Sequence, residues 1–426
     1  MFVSFFPRPR LFFLSAIAWS IIAILGWYTF GQRAGIFLGL VPALANAPPP
    51  AFVSHFLEPA MCWFYFYFAA ATAIFYATWA IFCPHPWQHW SILGSAFLLF
   101  TTYLSVEADV VVNGWRGIFF DLLQKALGAH NAVKTSQLYS SIWSFMMIAF
   151  LATVVATVIA FFASHYVFRW RTAMNAYYVA NWDSLHHIEG AAQRVQEDTM
   201  RFSSIVETLG VSFVQSVMSL IVFVPLLAGL SADIKALPLI GVVPYPLIVA
   251  AVGWSLFGTA LMAVVGIRLP GLNFNNQRVE AAYRKELIYG EDREDRAKPR
   301  RLQRLFRNIR ANYFRLYFNF AYFNVAKNLY LQMNNIFGWA LIIPTLTIGA
   351  ITLGAVTQIV SALTQVMASF QYLVTSWATI VELLSIHRRL KAFEATLNHP
   401  EETRQSPRRQ GKHRHGQARG SIQAAP

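Results

Sequence analysis

The chain has 426 residues, of which 56% are hydrophobic and only 13% charged. Soluble domains carry roughly 25% charge, so this composition excludes an ordinary water-soluble fold and makes lipid the solvent for much of the surface. The formal net charge of +14 does not by itself indicate nucleic acid, because membrane proteins gather Lys and Arg on one side. The two cysteines, Cys62 and Cys83, are too few for a disulfide framework or a zinc site.

A bilayer core about 30 Å thick takes roughly 20 helical residues to cross. Lipid offers backbone amides no outside partner, so apolar runs of that length are read as helices. The expected architecture is all-α and polytopic, with about eight transmembrane spans at 11–30, 61–82, 92–112, 142–163, 205–230, 247–267, 316–347 and 356–386. The first run follows Arg8 and Arg10 and lacks a small-residue cleavage site, so it is expected to be retained as a helix. Trp19, Trp27, Tyr28, Trp87 and Trp90 sit near the ends of apolar runs, where amphipathic rings suit the headgroup layer. The aromatic run 62–68 reads as lipid-facing or core surface in preference to a stacking site for a ligand.

With the N-terminus in the cytoplasm, 28 of the 34 Lys and Arg residues fall on that side and five on the other, with Lys327 inside a span. The positive-inside rule then predicts both termini in the cytoplasm. Segments 165–204 and 268–315 would be long cytoplasmic helical extensions, the second broken between Gly290 and Pro299. The transporter domain is expected over 1–395. A disordered basic tail is expected over 396–426, where Arg408, Arg409, Lys412, His413, Arg414 and His415 carry no periodicity.

Charge inside a membrane costs a few kcal/mol and usually faces a bundle interior or a water-filled path. The candidates are Glu107, Asp109, Glu207, Lys327 and Glu382. A desolvated carboxyl binds and releases protons near neutral pH, as a proton-coupled carrier requires. Against this, Glu207 and Glu382 lie at span ends, where interfacial ion pairing accounts for them equally well. Glu107 and Asp109 point to different helix faces and are not expected to act as one dyad.

Asn324, Asn328, Gln332 and Asn335 recur at helical spacing with Lys327 beside them, and the final span repeats the pattern with Gln358, Ser361, Gln365, Ser369, Tyr372, Ser376 and Thr379. Two readings stay open. The stripes line one aqueous cavity and bond a peptide backbone, or they join helices by hydrogen bonds.

No G-x-x-x-x-G-K-[ST] phosphate loop, G-x-S-x-G or H-E-x-x-H occurs, so neither an enzyme nor a nucleotide-binding or metal site is expected in this chain. The pair His186 and His187 reads as a polar patch.

SHYVFRWRTAMNAYYVANW from Ser164, HIEGAAQRVQEDTMRF from His187, and LPGLNFNNQRVEAAYRKELIYGED from Leu269 closely resemble the SbmA/BacA family of bacterial peptide transporters, as do SFFPRP from Ser4 and RANYFRLYF from Arg310. The resemblance extends from residue 1 to about 395. It implies a homodimer in the inner membrane, similar to the membrane half of ABC exporters, importing with protons as the coupling ion. No other cofactor and no nucleic acid is implied, and membrane lipids are the surroundings. Ala191–Asp198 and Val279–Leu287 also resemble loop segments of peroxisomal fatty-acyl ABC transporters.

By resemblance, Glu197, Glu280 and Glu291 join Glu207 as proton-coupling candidates, and Trp182, Gln193, Asp198, Tyr283, Arg284 and Arg389 become transport-critical positions, with an ion-paired helical scaffold as the plainer reading. Family members take up proline-rich and other antimicrobial peptides, peptide antibiotics and bleomycin-like glycopeptides. The BacA branch is tied to tolerance of host peptides and to very-long-chain fatty acids on lipid A, and the His/Arg-rich tail favours that branch. The rival expectations are the membrane subunit of an ABC exporter of a fatty-acyl or lipid substrate with a separate ATPase, and a structural envelope protein.

Overall fold

The apolar runs fold as helices, as the lack of backbone partners in lipid requires. The computed structural model describes residues 1–40, 51–188, 190–234, 241–292, 297–349 and 351–398. The expected basic tail from 399 onward, and part of the charged run after Gly290, lie outside them. Among the described residues there is no strand, so the protein is an all-α polytopic membrane protein.

Helix α1 (Pro9–Gly26) continues through a widened turn into α2 (Gln32–Phe37). A 3-10 turn, Val53–Leu57, leads into α3 (Pro59–Phe82), and a second wide turn, His89–Gly94, opens α4 (Ser95–Gly128). Next come the 46-residue α5 (Thr135–Ala180), two short pieces, α6 (Trp182–Leu185) and α7 (Ala191–Gln193), and the wide turn Arg194–Asp198 that enters α8 (Thr199–Leu230). The chain closes with α9 (Pro246–Gly266), α10 (Leu269–Asp292), the 49-residue α11 (Pro299–Thr347), α12 (Leu353–Thr375) and α13 (Trp377–Asn398). Prolines open α1, α3, α9 and α11, where the missing N–H has no helical acceptor to lose.

Among the described residues, seven segments are long and apolar enough to cross a bilayer: Pro9–Phe37, Pro59–Phe82, His89–Gly128, Thr135–Ala180, Ala191–Leu230, Pro246–Gly266 and Leu353–Tyr372. Helix α11 falls outside that set because its polar stripe lowers its hydropathy, yet its packing carries it through the same layer. Phe323 lies against Gly266, Tyr330 against Gly258, and Gly338 against Val360 and Leu363. With Tyr330 also bonded to Gln371, it runs antiparallel to both α9 and α12.

Three expected boundaries change. The stretch 165–204 is not one long helix: α5 stops at Asn181, and Gly190 adopts φ 77°, a left-handed conformation in which a side chain would be strained. The expected span 316–347 fuses with the preceding basic segment into α11, about 70 Å long at 1.5 Å per residue and far longer than the hydrocarbon layer. The expected span 356–386 divides near Ser376, where the backbone bonds Ser376 N–H to Tyr372 and Ile380 N–H to Ser376 persist at 2.9 Å, so this is a bend rather than a gap.

Helix α12 is the axis of the bundle. Val356, Ile359, Ala362, Leu363, Val366 and Met367 are fully buried against α4, α8, α9 and α11. Its start is capped from α4: Asp121 Oδ1 accepts the Gly354 N–H at 2.8 Å and Gln124 Oε1 the Leu353 N–H at 2.8 Å. Gly354 sits so close to the Gly117 carbonyl that a Cβ there would come within 2.2 Å of it. A second core gathers Met1, Phe5, Phe6, Tyr166, Trp170, Phe202, Ile386, Leu390 and Phe393 at the end from which α10 and α13 extend, called here the basic end. Helix α1 stays peripheral, with Leu14, Ile17, Ile22 and Leu25 exposed as a lipid-facing surface demands.

Candidate functional site

Glu107 and Asp109 do face apart on α4. Asp109 turns to the seam of α4, α8 and α12, where Gln365 Nε2 lies 3.4 Å from its Oδ2 and 3.5 Å from Ser219 Oγ. Two turns along, the Gln358 side chain fills the space over Gly117, and the Gln358 backbone carbonyl accepts from Asn113 Nδ2 at 2.9 Å. Tyr372 donates its hydroxyl to the Leu209 carbonyl at 2.6 Å. The side chains of Gln365 and Tyr372 thus bond helix to helix, the glue role open to membrane amides and hydroxyls, while that of Gln358 packs on Gly117.

The stripe on α11 has a different fate. Its buried face, Tyr330, Asn334 and Gly338, serves α9 and α12: Trp254 Nε1 donates to Asn334 Oδ1 at 3.0 Å and Gln371 Nε2 to the Tyr330 oxygen at 2.7 Å. Asn324, Asn328, Gln332 and Asn335 lie on another face and are exposed, with Lys327 half-buried. The two stripes therefore do not meet across one cavity within the protomer. Exposed amides at membrane depth call for water or polypeptide against them.

At the basic end the carboxylates cluster by helix. Glu207, half-buried near the start of α8, accepts the Ser164 hydroxyl of α5. Asp198, 5% exposed, takes a bidentate grip from Arg389 of α13, with Nε to Oδ2 at 3.1 Å and Nη2 to Oδ1 at 2.8 Å. These hydrogen bonds, with the charges of Asp198, Glu197 and Glu382, outweigh partial burial and raise the Arg389 pKa further. Beside them, Glu197 accepts Gln193 Nε2 at 3.0 Å and pairs with Arg201 at 2.7 Å. Glu382 is exposed on α13, and the Trp182 ring lies 6.4 Å from that of His186.

Helices α10 and α11 pair as a hairpin. Tyr283 meets Phe306 at 5.9 Å between ring centres, and the two share a shallow cavity of about 420 Å³ with Leu302, Gln303, Arg307 and Arg310. Glu280 is half-buried, while Arg284 and Glu291 are exposed. Sequence reasoning passed over Glu286, which is 4% exposed, pairs with Arg301 at 3.1 Å and accepts the Ala297 N–H at 3.3 Å. The available signal was a charge on the face marked by Val279, Ala282 and Tyr283. His55 was passed over too; it stands between Glu58 and Glu107. Among the described residues no group of three or more His, Cys, Asp or Glu side chains is arranged to hold a metal ion.

Residues 84–398 match the pattern of the SbmA/BacA-like family. The chain is 23% identical over 314 residues to the inner membrane ABC transporter ATP-binding protein YddA of Escherichia coli (strain K12), covering 68% of this chain and 54% of that one. It is 22% identical over 354 residues to an uncharacterized ABC transporter ATP-binding protein of Synechocystis sp., covering 76% of this chain and 49% of the relative. The chain thus spans about half the length of the curated relatives it matches.

Proposed function

Because the chain belongs to the SbmA/BacA-like family and is thereby a membrane transporter, we propose that it carries peptides inward across the bacterial inner membrane, driven by protons. The basic end is then cytoplasmic, with both termini there, and the working unit is a homodimer. The observation that carries this reading is the exposed amide face of α11. Asn324, Asn328, Gln332 and Asn335 offer donors and acceptors at membrane depth, suited to peptide backbones of any sequence and in need of a watery lumen or a second copy beside them. Lys327 adds a cation to that wall.

Coupling falls to acids at two levels. Asp109 lies on the seam around α12, and Glu207, Glu197 and Asp198 lie where α8 enters the basic end. Protonation of Glu207 would weaken its hold on Ser164, and the Asp198–Arg389 tie links the same segment to α13. A change of charge at Glu207 therefore bears on how α5, α8 and α13 pack.

The similarity to proteins named ABC transporter ATP-binding proteins favours one rival: a membrane subunit that exports a fatty-acyl or lipid substrate with a separate ATPase. Proteoliposomes loaded with labelled proline-rich peptide outside, an inward proton gradient and no nucleotide separate the two. Uptake abolished by an uncoupler supports import; no uptake until an ATPase is supplied supports the rival. Glu207→Gln is expected to keep peptide binding and to lower gradient-driven accumulation at least tenfold, and unchanged accumulation removes Glu207 from the mechanism.

A further inference from the structure

The 3-10 turn Val53–Leu57 lies at the end of the bundle away from α10 and α13, packed on α3 and α5. Its His55 ring stands between carboxylates from two sides. Nδ1 is 2.9 Å from Glu58 Oε2, and Nε2 is 3.9 Å from Glu107 Oε2 on α4. The two acids differ in setting: the Glu58 side chain is 51% exposed, the Glu107 side chain 12%. A buried carboxylate is costly unless a cation or a proton accompanies it, and the imidazole is placed to supply either.

The other ionisable groups near the cluster are Tyr65 and Cys62 of α3 and Tyr103 of α4, with Tyr28 beyond Tyr103. Helix α5 presents the apolar Ile148, Leu151 and Ala152 beside Phe56, and the segment 41–50 contains no ionisable residue.

We propose that His55, Glu58 and Glu107 form a proton-loading site at the mouth opposite the basic end, in which the neutral imidazole, carrying its proton on Nε2, accepts a second at Nδ1 from hydronium beside Glu58, leaving water, and the imidazolium delivers its Nε2 proton to Glu107. The transfer balances simply. The Nε2–H bond of the imidazolium breaks, an O–H bond forms at Glu107 Oε2, and the electron pair stays on Nε2. A neutral ring remains, still donating from Nδ1 to Glu58, and no charge is left in the buried pair. At 3.9 Å the step needs a closure of about 1 Å or one bridging water to reach hydrogen-bond distance. Burial works against the charged ring, but the carboxylates of Glu107 and Glu58 outweigh it and raise the His55 pKa above its ordinary value. The ring thus holds its proton to a higher pH than a free imidazole does.

This inference deepens the proton-driven reading and rests on it for its role in transport, but the site has a readout that needs no transport. Histidine-selective NMR of the full chain in micelles, with His55→Gln to assign the signal, follows the ring directly. His55 should titrate above about 6.5, and its midpoint should fall in Glu107→Gln and in Glu58→Gln. A midpoint at or below the ordinary value, or one unmoved by Glu107→Gln, overturns the proposal.

In proteoliposomes under an imposed proton gradient, His55→Gln should slow uptake of labelled proline-rich peptide at least tenfold and leave peptide binding unchanged. His55→Asn should behave in the same way, which separates loss of the titrating ring from a packing defect. Uptake at the wild-type rate and pH profile in both variants overturns it. If the wild type itself takes up nothing while the NMR shifts appear, the transport reading fails and the proton site stands.

Discussion

Single residues tie the basic end together, and Arg389 is the clearest of them. Its fork closes on a carboxylate that is nearly out of water, so removing it leaves Asp198 buried without its donors. Hydrogen bonds to charged groups contribute about 1.5–3 kcal/mol. The partial exposure of Arg389, at 47%, places Arg389→Ala near the lower end, at about 2 kcal/mol. Thermal unfolding in detergent should show the loss, and Asp198→Asn combined with Arg389→Ala should cost less than the two changes added separately. An additive result would mean that the two side chains do not work as a pair.

His55 gives a second expectation at this scale. A ring whose folded value is raised adds stability that is complete below its unfolded value, near 6.5, and is lost as pH rises through the higher folded value. The grip of the turn on α4 should therefore loosen on the alkaline side. Hydrogen exchange of the turn backbone should increase there, and in Glu107→Gln it should already be high at neutral pH. Exchange independent of pH would argue against the ion pair.

The same residues mark what the sequence made legible. Asp109 and Glu207 stand out because a charge in an apolar run is conspicuous, and Asp198 and Arg389 enter through resemblance. His55 and Glu286 escape because neither lies in a span. Their meaning comes from partners that the fold brings from other elements, Glu107 to the one and Arg301 to the other.

Elements carry a different lesson, since α11 and α12 show the same polar period with opposite results. Periodicity says which side chains share a face; it does not say what covers the face. The α12 stripe is covered by α4 and α8, with Gln358 packed on Gly117 and Gln365 bonded to Asp109 and Ser219. The α11 stripe points away from its neighbours. The sequence marked the apolar part of α11, 316–347, but not its fusion with the basic segment before it, while the bend at Ser376 hid inside one long apolar run.

The start of α12 depends on α4, so Asp121→Ala should cost about 0.5–2 kcal/mol, as the loss of a helix cap does. The Gly354→Ala change meets backbone rather than a flexible side chain and should cost about 1–3 kcal/mol as overpacking. Chemical denaturation in mixed micelles checks both. A neutral Gly354→Ala would mean that α4 and α12 are free to separate.

At the scale of the molecule, α4, α8, α9 and α11 pack around α12, with a hairpin and α13 extended at a single end. Moving one proton through 100 mV releases about 2.3 kcal/mol, roughly a fifty-fold concentration ratio per proton, which is ample for accumulating a peptide. The acids lie where such a path would need them, with Glu107 and Asp109 at one level of α4 and Glu207 and Asp198 toward the basic end. On the proposed reading, the α11 stripe would form the wall that the cargo meets. Replacing Asn328 and Gln332 together with Leu should leave the bundle intact, since neither packs on α9 or α12, and should weaken peptide binding about tenfold in a fluorescence titration. Unaltered binding would assign that face to lipid or to the second copy.

The most direct measurement is uptake of labelled proline-rich peptide by reconstituted protein under an inward proton gradient without nucleotide, read beside Glu207→Gln. Uncoupler-sensitive accumulation in the wild type, reduced at least tenfold in the variant, is the predicted result. Equal peptide levels with and without the gradient, or accumulation that begins only with an added ATPase, would contradict proton-driven import.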